Sequence, residues 1–206
     1  MGWRCKHDIK IMKILVETAK IEIEVKKSKF LAETFIVNSQ TEARNILKEQ
    51  KAKYKNSSHV VHAFVSGVNA EFSGCSDDGE PSGTAGRPIL EIIKGRNCTN
   101  IMITVARWFG GTLLGTGGLV KAYSDAVKSV LEISNFEEYT PKVQFEFETP
   151  YSLYEQIKTI LNKYSVENIS EDFLENICIK GSIPKVDKSD FQKQIFEFSN
   201  GKISVI

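Results

Sequence analysis

Charge of one sign, long apolar runs and paired cysteines are all scarce in this sequence, and each scarcity excludes something. The 206 residues hold 27 Lys and Arg against 26 Asp and Glu, a net charge of +1. That balance argues against a wholesale nucleic-acid binder, although a total says nothing about distribution. No stretch approaches the ~18 consecutive apolar residues of a membrane span, so no membrane is expected as a partner. The four cysteines, Cys5, Cys75, Cys98 and Cys178, include no C-x-x-C pair. A zinc ribbon and a thioredoxin-type dithiol are thereby excluded. Unpaired thiols fit a reducing, cytoplasmic setting. Arg4, Lys6, Lys10 and Lys13 precede no apolar core or small-residue cleavage site, so the start does not read as a secretory signal. Met12 is a candidate start, with residues 1–11 read as an extension.

What is present is an ordinary apolar fraction, 41%, enough to bury one large core or two small ones. Charge is unevenly spread. Residues 1–58 carry 13 Lys/Arg and 7 Asp/Glu, a net of +6, whereas 59–139 and 140–206 are net −3 and −2. Lys26, Lys27 and Lys29 and the run Lys48, Lys51, Lys53, Lys55 supply most of the excess. Two readings stand for it: a solvated surface, or a footprint for RNA or another acidic partner.

Ile21, Ile23 and Val25 alternate with Glu22 and Glu24, the period of a half-buried strand. Residues 30–37 read as its hairpin partner across a polar turn at 26–29. Ser39 and Glu42 fit a capping box that opens a helix running to Tyr54. Residues 59–66 read as a strand and 70–74 as its return. A short helix follows, with Pro88 in its first turn and Gly95 beyond its end. The apolar run 101–108 reads as a strand buried on both faces, and 118–133 as an amphipathic helix. After a change of texture at 135–140, the order strand (142–149), helix (151–163), strands (165–173 and 174–183), helix (188–199), strand (202–206) is the split βαβ arrangement.

Common catalytic signatures fail when tested. The stretch Gly115-Thr116-Gly117-Gly118-Leu119-Val120 has Val120 where a dinucleotide fingerprint needs glycine, and no Lys-Ser/Thr follows 111–118 as a P-loop requires. Asp77-Asp78-Gly79-Glu80 lacks EF-hand spacing, and no G-x-S-x-G elbow is present. His59 and His62 are an odd number apart on a strand and therefore face opposite ways, which disfavours a joint metal site. His62 is expected to be partly buried and hydrogen-bonded.

Two glycine-rich segments are left over from core packing. In the first, 76–87, Asp77, Asp78, Glu80, Ser82, Gly83, Thr84 and Arg87 precede a helix whose free amides suit an anion. The same carboxylates could instead satisfy those donors internally. In the second, 107–118, Arg107, Trp108, Gly110, Gly111, Gly117 and Gly118 lead into a helix carrying Lys121. Arginine and aromatics stack on bases, and glycines let a backbone approach a phosphate. The alternative puts Trp108 in the core and uses the glycines for helix packing. No nucleophile–base pair is visible.

The string S-D-D-G-E-P-S-G-T-A-G-R-P at 76–88, followed by A-R-W-F-G-G-T-L-L-G-T-G-G-L-V-K-A-Y at 106–123, resembles the YigZ/IMPACT family. The resemblance begins near Lys26 and includes His59 and His62. It implies an extension over 1–17, an IMPACT/YigZ N-terminal domain over 18–137 and a ferredoxin-like (βαββαβ) C-terminal domain over 138–206. The implied fold class is α+β, the first domain being ribosomal-protein-S5-domain-2-like and the second similar to the last domain of elongation factor G. The eukaryotic branch is linked to translational control through protein competition, with an additional N-terminal domain that has no counterpart here. Some bacterial members are labelled proline dipeptidases, a label for which this sequence offers no metal-ligand cluster.

The reading that results is a non-enzymatic, cytoplasmic binding protein linked to translation, contacting RNA, the ribosome or a translation-associated protein. It needs no cofactor or metal. An enzyme acting on a small phosphorylated or acidic ligand between the two glycine-rich loops is the alternative. Binding of a protein through the open sheet of the second domain is a third.

Overall fold

Period-two alternation builds the first hairpin of the computed structural model, which describes residues 12–206. The reading of residues 1–11 as an extension lies outside the described residues. β2 (Lys20–Val25) pairs antiparallel with β3 (Ser28–Ile36), Val25 opposite Ser28, so the turn is the two residues Lys26 and Lys27 rather than four. α1 (Gln40–Lys53) opens on Ser39, whose hydroxyl accepts the Glu42 amide, while Glu42 reaches back to the amide of Asn38. β4 (His59–Ser66), β5 (Phe72–Ser76), α2 (Gly86–Gly95), β6 (Ile101–Trp108) and α3 (Gly115–Ile133) follow. β5 lies two residues later than the sequence predicts, because Ala70 at φ +58 donates to Gly67 and prolongs the turn. Gly95 is the last residue of α2 rather than lying beyond it. α3 starts three residues early, taking Gly115 to Gly117 into its first turn.

The five strands order β2-β3-β6-β4-β5, every neighbouring pair antiparallel. β6 is central and buried on both faces, as its unbroken apolar run requires. Val61, Ala63, Val65, Ile103 and Val105 face α2 and α3, where Ile89, Ile93, Tyr123 and Val127 complete the main core. The even positions of β4 face the other way, where Phe64 and Met102 pack on Ala43 of α1. β1 (Lys13–Leu15) pairs with β7 (Phe136–Glu138), and Leu15 enters the main core. Residues 13–15 are therefore part of this unit's body and not an appendage to it.

The chain divides between Tyr139 and Thr140. Beyond it come β8 (Lys142–Thr149), a 3₁₀ turn (Tyr151–Leu153), α4 (Tyr154–Leu161), β9 (Glu167–Phe173), β10 (Ile177–Pro184) and α5 (Lys188–Phe198). Their antiparallel sheet orders β8-β10-β9, and Phe145, Phe147, Ile157, Ile179 and Phe191 centre a separate core. The strand predicted over 202–206 is not formed. Glu146 and Ile206 exchange two backbone hydrogen bonds, and Ser204 adds none to continue the ladder. Among the described residues, no helix is long and apolar enough to cross a membrane.

Candidate functional site

Strand register assembles the site. His59 of β4 lies directly opposite Arg107 of β6, on the face toward α3. The loop after β5 then folds back over both. Its first latch is Asp77, whose carboxylate accepts the amides of Gly83 (2.8 Å), Ala85 (3.0 Å) and Gly86 (2.8 Å). These bonds outweigh the upward push of burial and hold the Asp77 carboxyl below its ordinary range. The anion that the start of α2 invites is thus the chain's own carboxylate.

Asp78 is the second latch. β5 ends opposite His62, and Asp78 continues the ladder with its side chain by accepting the Val60 amide at 2.6 Å. Its other oxygen takes the Lys51 ammonium. Burial raises the Asp78 carboxyl, but the Lys51 and Val60 bonds dominate and its net displacement is downward. The Asp78 carbonyl lies 2.7 Å from His59 Nδ1. A carbonyl only accepts, so Nδ1 carries a proton toward it. Nε2 faces Glu80, 3.9 Å from Oε1.

Glu80 is buried and accepts from Arg107 Nη1 at 2.5 Å and from the Tyr123 hydroxyl at 2.8 Å. Burial, then the carboxylate beside it, pushes the Tyr123 hydroxyl far above its ordinary value, so it stays a donor. The Arg107 guanidinium lies 5.5 Å from the Phe30 ring and 5.7 Å from that of Phe109. Its Nε is buried and has no hydrogen-bond partner. Above this network opens a cleft of about 440 Å³, with His59, Glu80 and Arg107 lining it alongside Pro81, Phe109, Leu113 and Leu114. Gly115, Thr116 and Leu119 of α3 complete it, and that helix has no side-chain cap.

The structure brings Glu80 and Arg107 together and sets Asp77 and Asp78 behind them. Ser82 and Gly83 are exposed at the loop tip, Thr84 turns inward to bond the Pro81 carbonyl, and Arg87 is exposed on α2. Trp108 does not share a surface with Arg107. Adjacent strand residues point to opposite faces, and Trp108 packs edge-on against Tyr54 at 5.7 Å, next to α1. Gly110 sits against the Lys27 backbone, where any side chain would collide, and its amide donates to Ser28. Gly111 is exposed at φ +84, Gly117 and Gly118 lie in the first turn of α3, and Lys121 is exposed on that helix. His62, expected to be hydrogen-bonded, has a buried Nδ1 with no partner. The site residues not foreseen are His59 in this role, Tyr123 and Leu113, whereas Phe109 is one of the two aromatics of the 107–118 segment. Tyr123 alone left a signal, a hydroxyl on an otherwise apolar helix stripe. Among the described residues, no cluster of three or more His, Cys, Asp or Glu could hold a metal ion.

Fold and site together define a two-unit α+β protein with a buried carboxylate–guanidinium pair beneath an open cleft. The chain belongs to the IMPACT family, whose Impact N-terminal domain matches residues 26–131. It is 33% identical over 186 residues to an IMPACT family member of Haemophilus influenzae, covering 89% of this chain and 90% of that one. It is 29% identical to the Escherichia coli IMPACT family member YigZ, over 93% and 96% of the two chains. A crystal structure described as a hypothetical protein superposes with a TM-score of 0.71 at 28% identity, covering 95% of this chain and 96% of the other.

Proposed function

We propose that this is a translation-linked regulatory protein that contacts single-stranded RNA at the corner where the β2–β3 turn meets the loop after β6. Its two units are read as ribosomal-protein-S5-domain-2-like and ferredoxin-like. Family membership supports the link to translation. The observation that carries the RNA contact is the turn itself. Lys26 (φ 48) and Lys27 (φ 67) both occupy left-handed backbone, where a two-residue hairpin normally places Asn-Gly. Each lysine there costs ~1 kcal/mol. Two exposed ammonium groups are thus retained at a position that backbone energetics would assign to uncharged residues. The Lys27 backbone sits against Gly110, next in sequence to Phe109, a residue 49% exposed that also lies 5.7 Å from the Arg107 guanidinium.

Replacing the turn by K26N/K27G separates folding from binding. The variant should be about 1 kcal/mol more stable, because the backbone strain is relieved. Its affinity for RNA oligonucleotides should fall, and its log K against log salt slope should be shallower by about 1.4, from two lost phosphate contacts. Fluorescence anisotropy across a salt series measures both. RNA binding that is undetectable, or unchanged in the variant, overturns this reading.

A further inference from the structure

β5 is an outer strand of the five-stranded sheet, so every second residue turns its N–H and C=O away from β4 and toward no other strand. The following loop crowds only its last residue, where Gly86 lies against the Ser76 backbone. On one face of the sheet α1 runs beside this edge, and a groove of about 200 Å³ separates the two. Gln40, Ala43, Arg44 and Leu47 form its helix wall, with Phe64 and Gly74 opposite. A side chain at Gly74 would strike the Phe64 ring, 2.7 Å from the Cβ position, so the β5 backbone is bare toward the helix. Phe72 stands on the same face, 64% exposed, and the Lys51–Asp78 ion pair ties α1 to the loop just past the other end of β5. The volume falls short of the ~300 Å³ at which small-molecule sites begin, and suits one inserted side chain.

The helix wall carries one sign of charge. Arg44, Lys48 and Lys51 fall within about 60° of one another around α1, and Glu42 and Glu49 lie on its far side. Lys51 is committed to Asp78. Arg44 and Lys48 are exposed and, among the described residues, have no carboxylate partner. Charge on the other side of the strand is mixed: Arg87 and Lys94 lie within electrostatic reach of the Cys75 thiol, and so do Asp77 and Glu91. Selection by sign therefore comes from α1.

We propose that β5 receives an extended acidic protein segment as a sixth strand, one of its carboxylate side chains entering the groove toward Arg44 and the next on that face meeting Lys48. Main-chain bonds to the free edge supply affinity, and alternate side chains along α1 supply specificity. A second copy of this chain would set two cationic ridges side by side, which opposes self-pairing. RNA matches the charge but has no peptide backbone to extend the ladder. The proposal is independent of the RNA reading, because β2, whose turn holds Lys26 and Lys27, is the outer strand at the opposite edge.

Fluorescence anisotropy of the full chain with a labelled peptide of about eight residues, alternating glutamate and valine, tests this. The peptide should bind, and its counterpart with lysine in place of glutamate should bind about tenfold or more weakly. Arg44→Glu/Lys48→Glu reverses two exposed charges and should weaken the acidic peptide about tenfold, while circular dichroism shows that the fold is kept. Methylating every second backbone amide of the peptide, in the register that faces the strand, removes the ladder donors without altering the protein and should abolish binding. K26N/K27G should leave peptide binding unchanged. No binding of the acidic peptide at millimolar concentration, equal binding of the two peptides, indifference to the charge reversal, or binding that survives methylation in both registers overturns the proposal. RNA affinity that falls in Arg44→Glu/Lys48→Glu as steeply as in K26N/K27G assigns the ridge to nucleic acid and overturns it as well.

Discussion

Glu80 holds the site together because one carboxylate oxygen receives both a guanidinium and a phenol in a place water scarcely enters. Removing it by Glu80→Ala strands the Arg107 charge, and breaking a buried pair in this way costs ~3–5 kcal/mol. The double variant Glu80→Ala/Arg107→Met should recover much of that loss, since no buried charge is left unpaired. Urea denaturation of the two variants checks it, and similar midpoints for both would contradict the argument. Sequence alone singled out Glu80 and Arg107 as charges among glycines. Their pairing, 27 positions apart, depends on a strand register that local patterns do not encode. His62 illustrates the converse. Burial, aided by the Lys51 charge and opposed by Asp78, lowers its basicity below the ordinary 6.5. The unfolded chain therefore binds the proton more tightly, and stability falls as pH drops through and below 6.5. His62→Gln should flatten the stability curve between about pH 7 and pH 5, measured by urea midpoints across that range.

At the scale of elements, the loop 76–86 is rigid through its own carboxylates rather than through a bound ion. Asp77 closes three amides at the entry to α2, and Asp77→Ala should cost ~2 kcal/mol, the upper end for a lost helix cap. Asp77→Asn retains an acceptor but not the charge. Because the folded carboxyl ionises more readily than its ordinary value of 3.8, its contribution is complete above that pH and is lost on acidification below it. The Asn variant should accordingly show a weaker acid dependence below about pH 4, read by thermal melts from pH 5 to pH 2. Strands β4, β6 and β8 were legible to the residue because burial on one or both faces writes a period into the side chains. The start of α3 was not, since Gly115 to Gly118 have poor helix propensity and join the helix by continuity with its buried stripe. The predicted strand over 202–206 failed for a related reason. Apolar alternation is present there, but only Ile206 bonds β8, and Ser204, the next residue whose backbone would face that strand, adds no ladder bond.

At the scale of the whole molecule, the basic first quarter is less available than its arithmetic implies. Lys29, Lys51 and Lys53 are tied to Glu22, Asp78 and Glu33, and the Glu33 carboxylate that Lys53 reaches is nearly buried. On the proposed RNA reading, the corner at Lys26 and Lys27 should therefore contribute more than the run along α1, and the salt slope should respond to those two residues. The two units also keep separate cores: every residue of the main core and of the α1 cluster precedes residue 137, and every residue of the other core follows residue 142. Phe191, in contact with the rings of Phe145, Phe147 and Tyr164, closes the second core. Phe191→Ala should cost that unit ~3–5 kcal/mol by loss of burial and the cavity left behind. Because the cores of the described residues are separate clusters, calorimetry of the full chain should show one transition displaced to lower temperature and a second one unmoved. A single transition that shifts as a whole would show instead that the units unfold together. RNA binding below the displaced transition should be unchanged, because the residues assigned to it belong to the unit whose core is intact.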